Sequence, residues 1–401
     1  MAEDQYELPE YYFKYQTGLL RLVGVELKDR DETPRYRIYS IITLICTLGY
    51  VIIETLELFY HDSFDAVTHV LDFVISHDLG MVKVLVVYKN RQAIGDLLRS
   101  LHEGVFKPNM ERGGVFEKKS IHETYKRNHF LILAYSWIMT AGYGLAVATC
   151  IFVRITQRSE MWKMPFSLIT IVDTSYTPAF EIAVVFQCWG VFLITVCTVG
   201  VDVLIVSIIA QISAQVKILE NAIRTYIERG IKDAEKNNLT SEQSVHNTLR
   251  ETIFSHHLTL LDTVSKVEDM CCYLILCIFV SNSTLLCLLL YKSSLYPLNS
   301  SFFIMFAIYY FVIALQVFNF CWWGNELTVA NESLALGVSQ SYSADEPTSH
   351  AMALKLMMIR TQRTLSLSAG KFAPLSLETY KALMKASFSY FMVLRQVNAE
   401  E

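Results

Sequence analysis

The segment from Leu377 to Asn398 is 22 residues long, enough to cross a membrane, and one of its faces is polar. On a helix, positions three and four residues apart share a face. At that spacing the segment carries a stripe of small and polar residues with valines near its end: Ala382, Ala386, Ser389, Val393, Gln396 and Val397. Small residues let two membrane helices pack closely. Hydroxyl, amide and valine side chains repeated around a symmetry axis would instead line an ion path with a narrow apolar gate. The stripe alone leaves both interpretations open.

Ionisable residues occur inside other apolar stretches, where each must face protein or water. They are Asp72, His77, Asp78, Lys83, Glu181 and Asp202. We expect Lys83 to reach the membrane surface through its long stem, with Asp78 partly compensating its charge. His77 is the candidate for contact with a ligand, although such a histidine is more often satisfied by a neighbouring helix.

No constellation of residues indicates an enzyme, a cofactor site or a metal site. The pair His256-His257 has no cysteine or carboxylate at ligand spacing, and we interpret it as part of a helix surface. The lysines and arginines are spread over loops and not clustered on one face, so nothing indicates nucleic-acid binding.

The composition is that of a membrane protein. Of the 401 residues, 53% are hydrophobic and 18% are charged, and the mean hydropathy is +0.33. This is too apolar for an ordinary soluble chain of that length. Besides the C-terminal segment, six stretches reach the ~20 residues that span about 30 Å of hydrocarbon: 38–60, 66–87, 129–153, 180–212, 271–291 and 300–323. The sequence therefore predicts an all-α membrane protein with seven transmembrane helices.

The distribution of positive charge predicts the orientation. Lys and Arg number 22 in the N-terminal segment and the stretches 88–128 and 213–270, against four in the three connections of the opposite side. Positive loops stay in the cytoplasm, so the N-terminus is expected there and the C-terminus outside.

Helical spacing of apolar residues continues into the stretch 213–270, which we expect to extend the fourth and fifth spans into the cytoplasm. The predicted organisation is a cytoplasmic segment (1–37), a ligand-binding bundle of helices 1–4 (38–212), the cytoplasmic helical extension or anchor (213–270), helices 5–6 (271–323), a cytoplasmic loop with an anchor helix (324–376), and helix 7 with a short outer tail (377–401).

The C-terminal quarter resembles one family in particular. The runs Ile359 to Arg363, Ala369 to Tyr380 and Ser389 to Gln396, in this order, are similar to the C-terminal signature of insect odorant receptors. Weaker similarities are Thr174 to Glu181, which looks like the segment before the family's fourth helix, and Phe320 to Leu327, which looks like the end of its sixth.

The resemblance implies a ligand-gated, non-selective cation channel of four subunits around one pore, in the plasma membrane of olfactory dendrites. It implies an odorant-tuned subunit that assembles with the longer shared co-receptor, Orco, because the co-receptor's extended cytoplasmic loop is absent here. Mapped onto this sequence, the pore and gate residues are Ser389, Val393, Gln396 and Val397, and the anchor and assembly residues are Arg360, Arg363, Lys371 and Tyr380.

The resemblance also implies an odorant site in the outer halves of helices two, three, four and six. A volatile ligand has few polar groups, so we expect an apolar cage with one or two directional contacts. Aromatic and polar residues at that depth are Phe73, His77, Tyr135, Met139, Thr140, Tyr143, Phe186, Gln187, Tyr309 and Tyr310. The competing interpretation is that these aromatics only pack the bundle or belong to the interfacial belt.

Four alternatives remain. A homomeric odorant-gated channel or a gustatory-type receptor channel would share the topology, but the latter should carry a different C-terminal signature. A G-protein-coupled receptor would have the opposite orientation, which the charge distribution disfavours. A transporter is less favoured because no repeated half is visible.

Overall fold

The computed structural model describes residues 8–27, 33–60, 64–109, 112–157, 162, 164–166, 173–238, 240–342 and 348–399. These residues are mostly α-helical. The helices are α1 (Lys14–Leu22), α2 (Pro34–Glu57), α3 (Phe64–Lys89), α4 (Arg91–His102), α5 (Val115–Thr156), α6 (Ala179–Arg224), α7 (Tyr226–Asn237), α8 (Ser241–Asn247), α9 (Ser255–Ser294), α10 (Ser301–Gln340), α11 (Thr348–Thr361) and α12 (Leu377–Ala399). Two 3-10 turns (Leu58–Tyr60 and Gly104–Phe106) and a π turn (Thr248–Phe254) connect some of them.

Each of the seven predicted spans falls within one long helix. Five segments of the described chain are long and apolar enough to cross a membrane: Pro34–Tyr60, Val115–Thr156, Ala179–Arg224, Ser241–Ser294 and Phe302–Gln340. The other two, α3 and α12, have 26 and 23 residues and carry charged residues spread along their length. The predicted all-α architecture with seven long helices is confirmed.

Helix α6 is the centre of the bundle. It packs against α1, α2, α3, α5, α9 and α10, and every residue from 201 to 216 is buried. A helix that is apolar all round is stable only when it is surrounded by protein or lipid. Helices α2, α3, α5, α9 and α10 therefore have their positions set by a shared contact with α6, whereas α12 packs against α9 and α10.

A buried ionic network joins four of these helices. Lys83 Nζ of α3 lies 2.8 Å from Asp202 Oδ1 of α6, and the Tyr135 hydroxyl of α5 and Gln316 Nε2 of α10 donate to Asp202 Oδ2 over 3.3 and 2.7 Å. Lys83 is fully buried. The expectation that Lys83 reaches the membrane surface and is compensated by Asp78 was wrong, because its partner lies on another helix.

The bundle continues as helices beyond the apolar stretches. Helix α6 runs on to Arg224, and α7 and α8 form a hairpin in which Gly230 packs so closely that an added Cβ would lie 2.6 Å from Val245 Cα. His256 and His257, at the start of α9, are buried in this region. Their interpretation as a helix surface was wrong: the ring of Phe106, in the 3-10 turn Gly104–Phe106, meets the His256 ring edge-on at 5.5 Å.

A two-stranded hairpin connects α11 to α12. Strand β1 (Ser368–Ala369) pairs antiparallel with β2 (Ala373–Pro374), and the turn contains positive φ angles at Gly370 and Lys371. Gly370 N donates to Cys272 O over 2.8 Å, and a Cβ there would meet Leu276 at 2.5 Å. Only glycine combines this backbone conformation with such a close approach. The hairpin therefore fixes the start of α12 against α9.

Candidate ligand cavity and channel helix

A cavity of about 140 Å³ lies within the helix bundle. Its walls come from α3, α5, α6 and α10, and from Pro165 and Phe166 in the connection between α5 and α6. Most of the wall is apolar. The polar side chains on it include Asp72 of α3, with Ser76 and His77 about one helical turn further along the same helix, and Thr195 and Thr198 of α6. The cavity therefore has an apolar body and polar groups on two of its helices.

Half of the residues predicted for a ligand site line this cavity: Phe73, His77, Met139, Tyr143 and Tyr309. Phe73 stacks on Tyr309 with 6.4 Å between the ring centroids, and Tyr143 stacks on Phe166 at 5.3 Å. The Tyr143 hydroxyl donates to Cys188 O over 3.0 Å. These contacts hold four aromatic rings around the cavity.

The other five lie away from its surface. Tyr135 is buried and belongs to the Asp202 network, while the exposed Thr140 hydroxyl donates to Ser136 O over 2.8 Å. Phe186 is partly exposed and its ring lies 5.8 Å from that of Tyr50. Gln187 and Tyr310 have supporting positions: Gln187 Oε1 accepts from Phe166 N over 3.3 Å, and Tyr310 packs in a cluster with residues of α9 and α10.

Several wall residues were not in the predicted set. Phe166 lies in an irregular connection, where periodicity gives no indication of direction. Ile194 and Thr198 of α6 belong to a helix that is apolar on every side, so the sequence does not distinguish the face that meets the cavity. Asp72 was singled out only as an ionisable residue. Asp72 precedes Ser76 by four residues and His77 by five. This spacing, about one helical turn, indicates that Asp72 lies on the same side of α3.

His77 is held from outside the cavity. Its Nδ1 lies 2.5 Å from Glu54 Oε2 of α2, and the Tyr50 hydroxyl donates to Glu54 Oε1 over 3.0 Å. This contact joins α2 to α3. His77 therefore has a partner on a neighbouring helix while its ring forms part of the cavity wall.

Asp72 connects the cavity to α9. Its carboxylate lies 2.9 Å from Lys292 Nζ, and both side chains are buried. The Lys292 ammonium also lies 5.4 Å from the ring centroid of Phe306, another wall residue. A buried ion pair of this kind is disrupted at a high energetic cost when one partner moves away. Tyr291, the residue before Lys292, packs in a cluster with Phe391 of α12.

Helix α12 has one face on the protein and one face open. Ser387 and Phe391 are buried against α9, and Ser387 and Ser283 are linked by their hydroxyls at 3.3 Å. Ser389 and Val393 of the predicted pore stripe are exposed, and the Ser389 hydroxyl donates to Lys385 O of its own helix over 3.0 Å. The Gln396 side chain is also exposed. Val397 lies outside the residues whose side chains are described.

The residues predicted for anchoring surround the start of α12. Arg360 is exposed in the last turn of α11, and Arg363 is exposed just after that helix. Lys371 is exposed at the tip of the hairpin between β1 and β2. The Tyr380 ring meets Phe318 of α10 edge-on at 5.6 Å. Tyr380 thus packs within the chain, whereas the three cations are on the surface.

Two residues just before α6 are joined by hydrogen bonds within the segment. Asp173 Oδ1 accepts from Ser175 N over 2.9 Å and from the Ser175 hydroxyl over 2.6 Å. These bonds lower the pKa of the Asp173 carboxyl. At the start of α6 itself, Arg154 of α5 pairs with Glu181 over 2.5 Å. The two helices that flank the cavity are therefore joined at this end.

Comparison with known proteins gives a consistent result. The sequence profile of the family described as 7tm Odorant receptor matches residues 63–388. Odorant receptor 10 of Aedes albopictus is 23% identical over 326 residues, which are 81% of this chain and 83% of the relative. Odorant receptor 24a of Drosophila melanogaster is 20% identical over 402 residues and covers 98% of both chains.

The fold is also that of a solved receptor. The olfactory receptor OR5 of Machilis hrabei, solved in complex with eugenol, superposes with a TM-score of 0.78 at 16% identity. The alignment covers 96% of this chain and 98% of that one. At this level of identity the similarity establishes the shared fold.

Proposed function

The chain belongs to the insect odorant receptor family of multi-pass membrane proteins, and on that premise we propose that it is the odorant-binding subunit of an odorant-gated, non-selective cation channel. The observation that carries the proposal is the cavity between α3, α5, α6 and α10. A concave, mostly apolar space with a few polar groups is the usual form of a small-molecule site. Its aromatic and aliphatic walls suit a small volatile compound.

The cation path is formed by the open face of α12. Ser389 and Val393 lie on that face, which the described part of the chain leaves uncovered, and an uncovered helix face must be met by lipid, water or another subunit. Four copies of the face around one axis would satisfy this requirement with a water-filled path, and the valines would form its narrow apolar constriction. Gln396 and Val397 continue the same stripe toward the helix end.

Assembly into a heterotetramer with the co-receptor Orco is supported by α11. Met352, Leu356 and Ile359 follow each other at helical spacing, and each is more than half exposed. An apolar stripe on a helix that also exposes charged residues is typical of a protein interface. Arg360, Arg363 and Lys371 lie beside it and would form the polar rim of the contact.

The subunit would be oriented with its N-terminus and α11 in the cytoplasm and its C-terminus outside, in the plasma membrane of olfactory dendrites. The charge distribution supports this orientation. In this arrangement the α11 stripe lies in an aqueous compartment, where burial of apolar side chains between subunits is favourable.

Opening proceeds as a shift between closed and open populations. A ligand that binds the open form better by about 1.4 kcal/mol changes the equilibrium tenfold. The Asp72–Lys292 pair and the packing of Tyr291 on Phe391 give the cavity wall a continuous contact with α12. Movement of α3 or α10 around a ligand is thereby transmitted to the helix that carries Val393.

Whole-cell recording tests the proposal. The chain is expressed with and without the co-receptor in cells that lack other receptors, and a broad odorant panel is applied. We expect a rapid cation current that requires both subunits and persists when G-protein signalling is blocked. Surface labelling of the chain in each condition controls for expression.

Other outcomes identify other functions. Current from the chain alone would indicate a homomeric channel, and a response abolished by the block would indicate a G-protein-coupled receptor. A chain that reaches the surface with the co-receptor and gives no current to any compound would contradict the proposed function.

A further inference from the structure

One side of the cavity wall is also an outer face of the helix bundle. Ile138 and Leu145 of α5 line the cavity, and yet they are 37% and 46% exposed. Phe152, seven residues after Leu145, lies on the same side of the helix, is 64% exposed and is not part of the wall. The stripe formed by Ile138, Leu145 and Phe152 therefore faces outwards. Its first two members border the cavity on one side and the surroundings of the bundle on the other.

Between these two residues α5 carries a glycine. Gly142 lines the cavity. Apart from its chain neighbours and the backbone of its own helix, no atom of the described chain lies within 4 Å of a Cβ built at Gly142. At Gly190 of α6, by contrast, a Cβ would collide with the Tyr50 ring. Close packing of a neighbouring helix thus accounts for Gly190 but not for Gly142, which leaves a gap in the wall.

The gap lies at the depth of the membrane hydrocarbon. Gly142 is 11 residues before Val153, the outer end of the predicted third span. At 1.5 Å per residue this is about 16 Å below that end, near the middle of a layer about 30 Å thick. Trp137, one turn earlier on α5, is 71% exposed and apolar, as expected of a side chain that meets lipid. The gap therefore opens toward the acyl chains of the bilayer.

The predicted outer end of the cavity is covered between α5 and α6. The ring of Trp162, in the connection between these helices, lies 5.0 Å from the Phe180 ring and 3.7 Å from the Arg154 guanidinium carbon. Phe166 of the same connection stacks on Tyr143 at 5.3 Å. These side chains lie between the cavity and the outer water at this place, whereas the α5 side has no such cover in the described chain.

We propose that ligands enter and leave the cavity from the hydrocarbon of the bilayer, through the gap at Gly142. The inference rests on the proposed function, because it concerns how the same cavity fills. It requires a ligand that is uncharged and dissolves in lipid. Each methylene group favours hydrocarbon over water by about fourfold, so a compound with several of them is concentrated in the layer onto which the gap opens.

The kinetics of the response test the route. The full chain is expressed with the co-receptor, and 1-octanol, 2-heptanone, acetophenone and eugenol are applied by rapid perfusion below their half-maximal concentrations. Gly142→Leu places a branched side chain in the gap. A narrower route raises the barrier in both directions. We therefore expect the onset rate and the decay rate after washout to fall together by about tenfold, while the half-maximal concentration changes by less than about threefold.

Two further variants on α5 control for the substitution itself. Gly144→Leu makes the same change at an exposed glycine outside the cavity wall, where a Cβ also has no atom within 4 Å, and should retain both rates. Leu145→Ala shortens a side chain at the edge of the gap and should raise both rates. Because Leu145 is 46% exposed, its truncation leaves no closed hole in the core. This variant decides the question if Gly142→Leu does not reach the cell surface.

A fourth variant tests the competing route from the outer water. Trp162→Ala removes the ring that lies against Arg154 and Phe180. If ligands entered from the outer end, loss of this ring would accelerate onset and decay. Entry from the bilayer predicts that both rates stay the same.

The outcomes separate this inference from the proposed function. Unchanged rates in a surface-expressed Gly142→Leu, or in Leu145→Ala where the first variant is not expressed, would overturn the inference and leave an odorant-gated channel in place. A raised half-maximal concentration with undiminished decay would also overturn it, since the leucine would then occupy the place of the ligand and not its route. Faster responses in Trp162→Ala would indicate the outer route. No current from the unmodified receptor to any compound of a broad panel would instead contradict the proposed function.

Discussion

Helices α3 and α12 both carry several charged side chains within a membrane-length segment, and they satisfy this charge in opposite ways. On α3, Asp72 pairs with Lys292, His77 with Glu54 and Lys83 with Asp202, each partner lying on a different helix. On α12, the side chains of Lys381, Lys385 and Arg395 are exposed, and the described part of the chain forms no ion pair with them.

The difference separates two uses of polarity in a membrane helix. A charge whose partner lies in the same chain fixes the position of its helix in the bundle. A charge or hydroxyl that the chain leaves open must meet water or another subunit. Helix α3 is therefore part of the fold of one subunit, whereas the open face of α12 is complete only in an assembly. The variants below test this distinction.

The largest effect is expected when the α3 network loses one charge. Lys83→Met leaves the buried Asp202 carboxylate without its cation, which costs roughly 3–5 kcal/mol of the free energy of unfolding. We expect little of this variant at the cell surface and a lower midpoint of thermal unfolding in detergent. The matched control is Lys381→Met on α12, where loss of an exposed charge changes the stability by less than about 0.5 kcal/mol.

A double variant distinguishes loss of charge balance from loss of packing. In Lys83→Met combined with Asp202→Asn no charge is left, and the amide oxygen can still accept from Tyr135 and Gln316. Most of the surface expression should return. If the single variant is as stable as the unmodified chain, the network does not fix α3 and the comparison fails.

The second effect concerns assembly and should leave the subunit folded. Leu356→Glu places a charge in the middle of the exposed α11 stripe, where burial against another subunit would leave it unpaired. We expect the amount of co-receptor that copurifies with the chain to fall about tenfold or more, since 1.4 kcal/mol corresponds to a tenfold change.

The control for assembly adds the same charge outside the stripe. Gln92 is exposed on α4, and Gln92→Glu should retain the co-receptor. Equal recovery of the co-receptor with both variants would show that the stripe is not the interface.

Local patterns were sufficient to predict the long helices. The seven apolar stretches gave the seven long helices, because a membrane helix needs a continuous run of about 20 apolar residues. The small and polar stripe of α12 also fell on a face that is open in the subunit. In both cases the information lies within one segment.

Long-range pairing was not visible in the same way. Nothing in the sequence connects Lys83 with Asp202, which is 119 positions away, and a local partner, Asp78, was preferred instead. His256 and His257 carried no signal for burial, since the ring that packs on His256 belongs to Phe106, far earlier in the chain. For the cavity, depth alone selected Phe73 and His77 together with residues such as Thr140, because it does not fix helix rotation.

The third effect is a difference in reactivity between two faces of α12. Val393 is 58% exposed and Phe391 is 8% exposed. In a channel, Val393→Cys should react with a water-soluble, cationic thiol reagent about tenfold faster than Phe391→Cys, because thiol reactivity follows exposure. Odorant should accelerate the reaction further.

Inhibition of odorant-evoked current is the measurement for these cysteines. The unmodified chain, with its nine native cysteines, provides the baseline. Equal rates at the two positions would argue that the Val393 face meets lipid and not a water-filled path.

The smallest effect should come from one neutral hydroxyl beside the α3 charges. Tyr309→Phe keeps the ring that stacks on Phe73 at 6.4 Å and removes the hydroxyl that bonds Ser76. One neutral hydrogen bond contributes about 1 kcal/mol, so the half-maximal odorant concentration should change by about fivefold or less, with normal surface expression. Tyr310→Phe, on the same helix but outside the cavity wall, is the control and should leave the concentration unchanged. If Tyr309→Phe prevented folding as Lys83→Met is expected to do, a single neutral bond would matter as much as a buried charge. The contrast between α3 and α12 would then reflect depth in the bundle and not charge pairing.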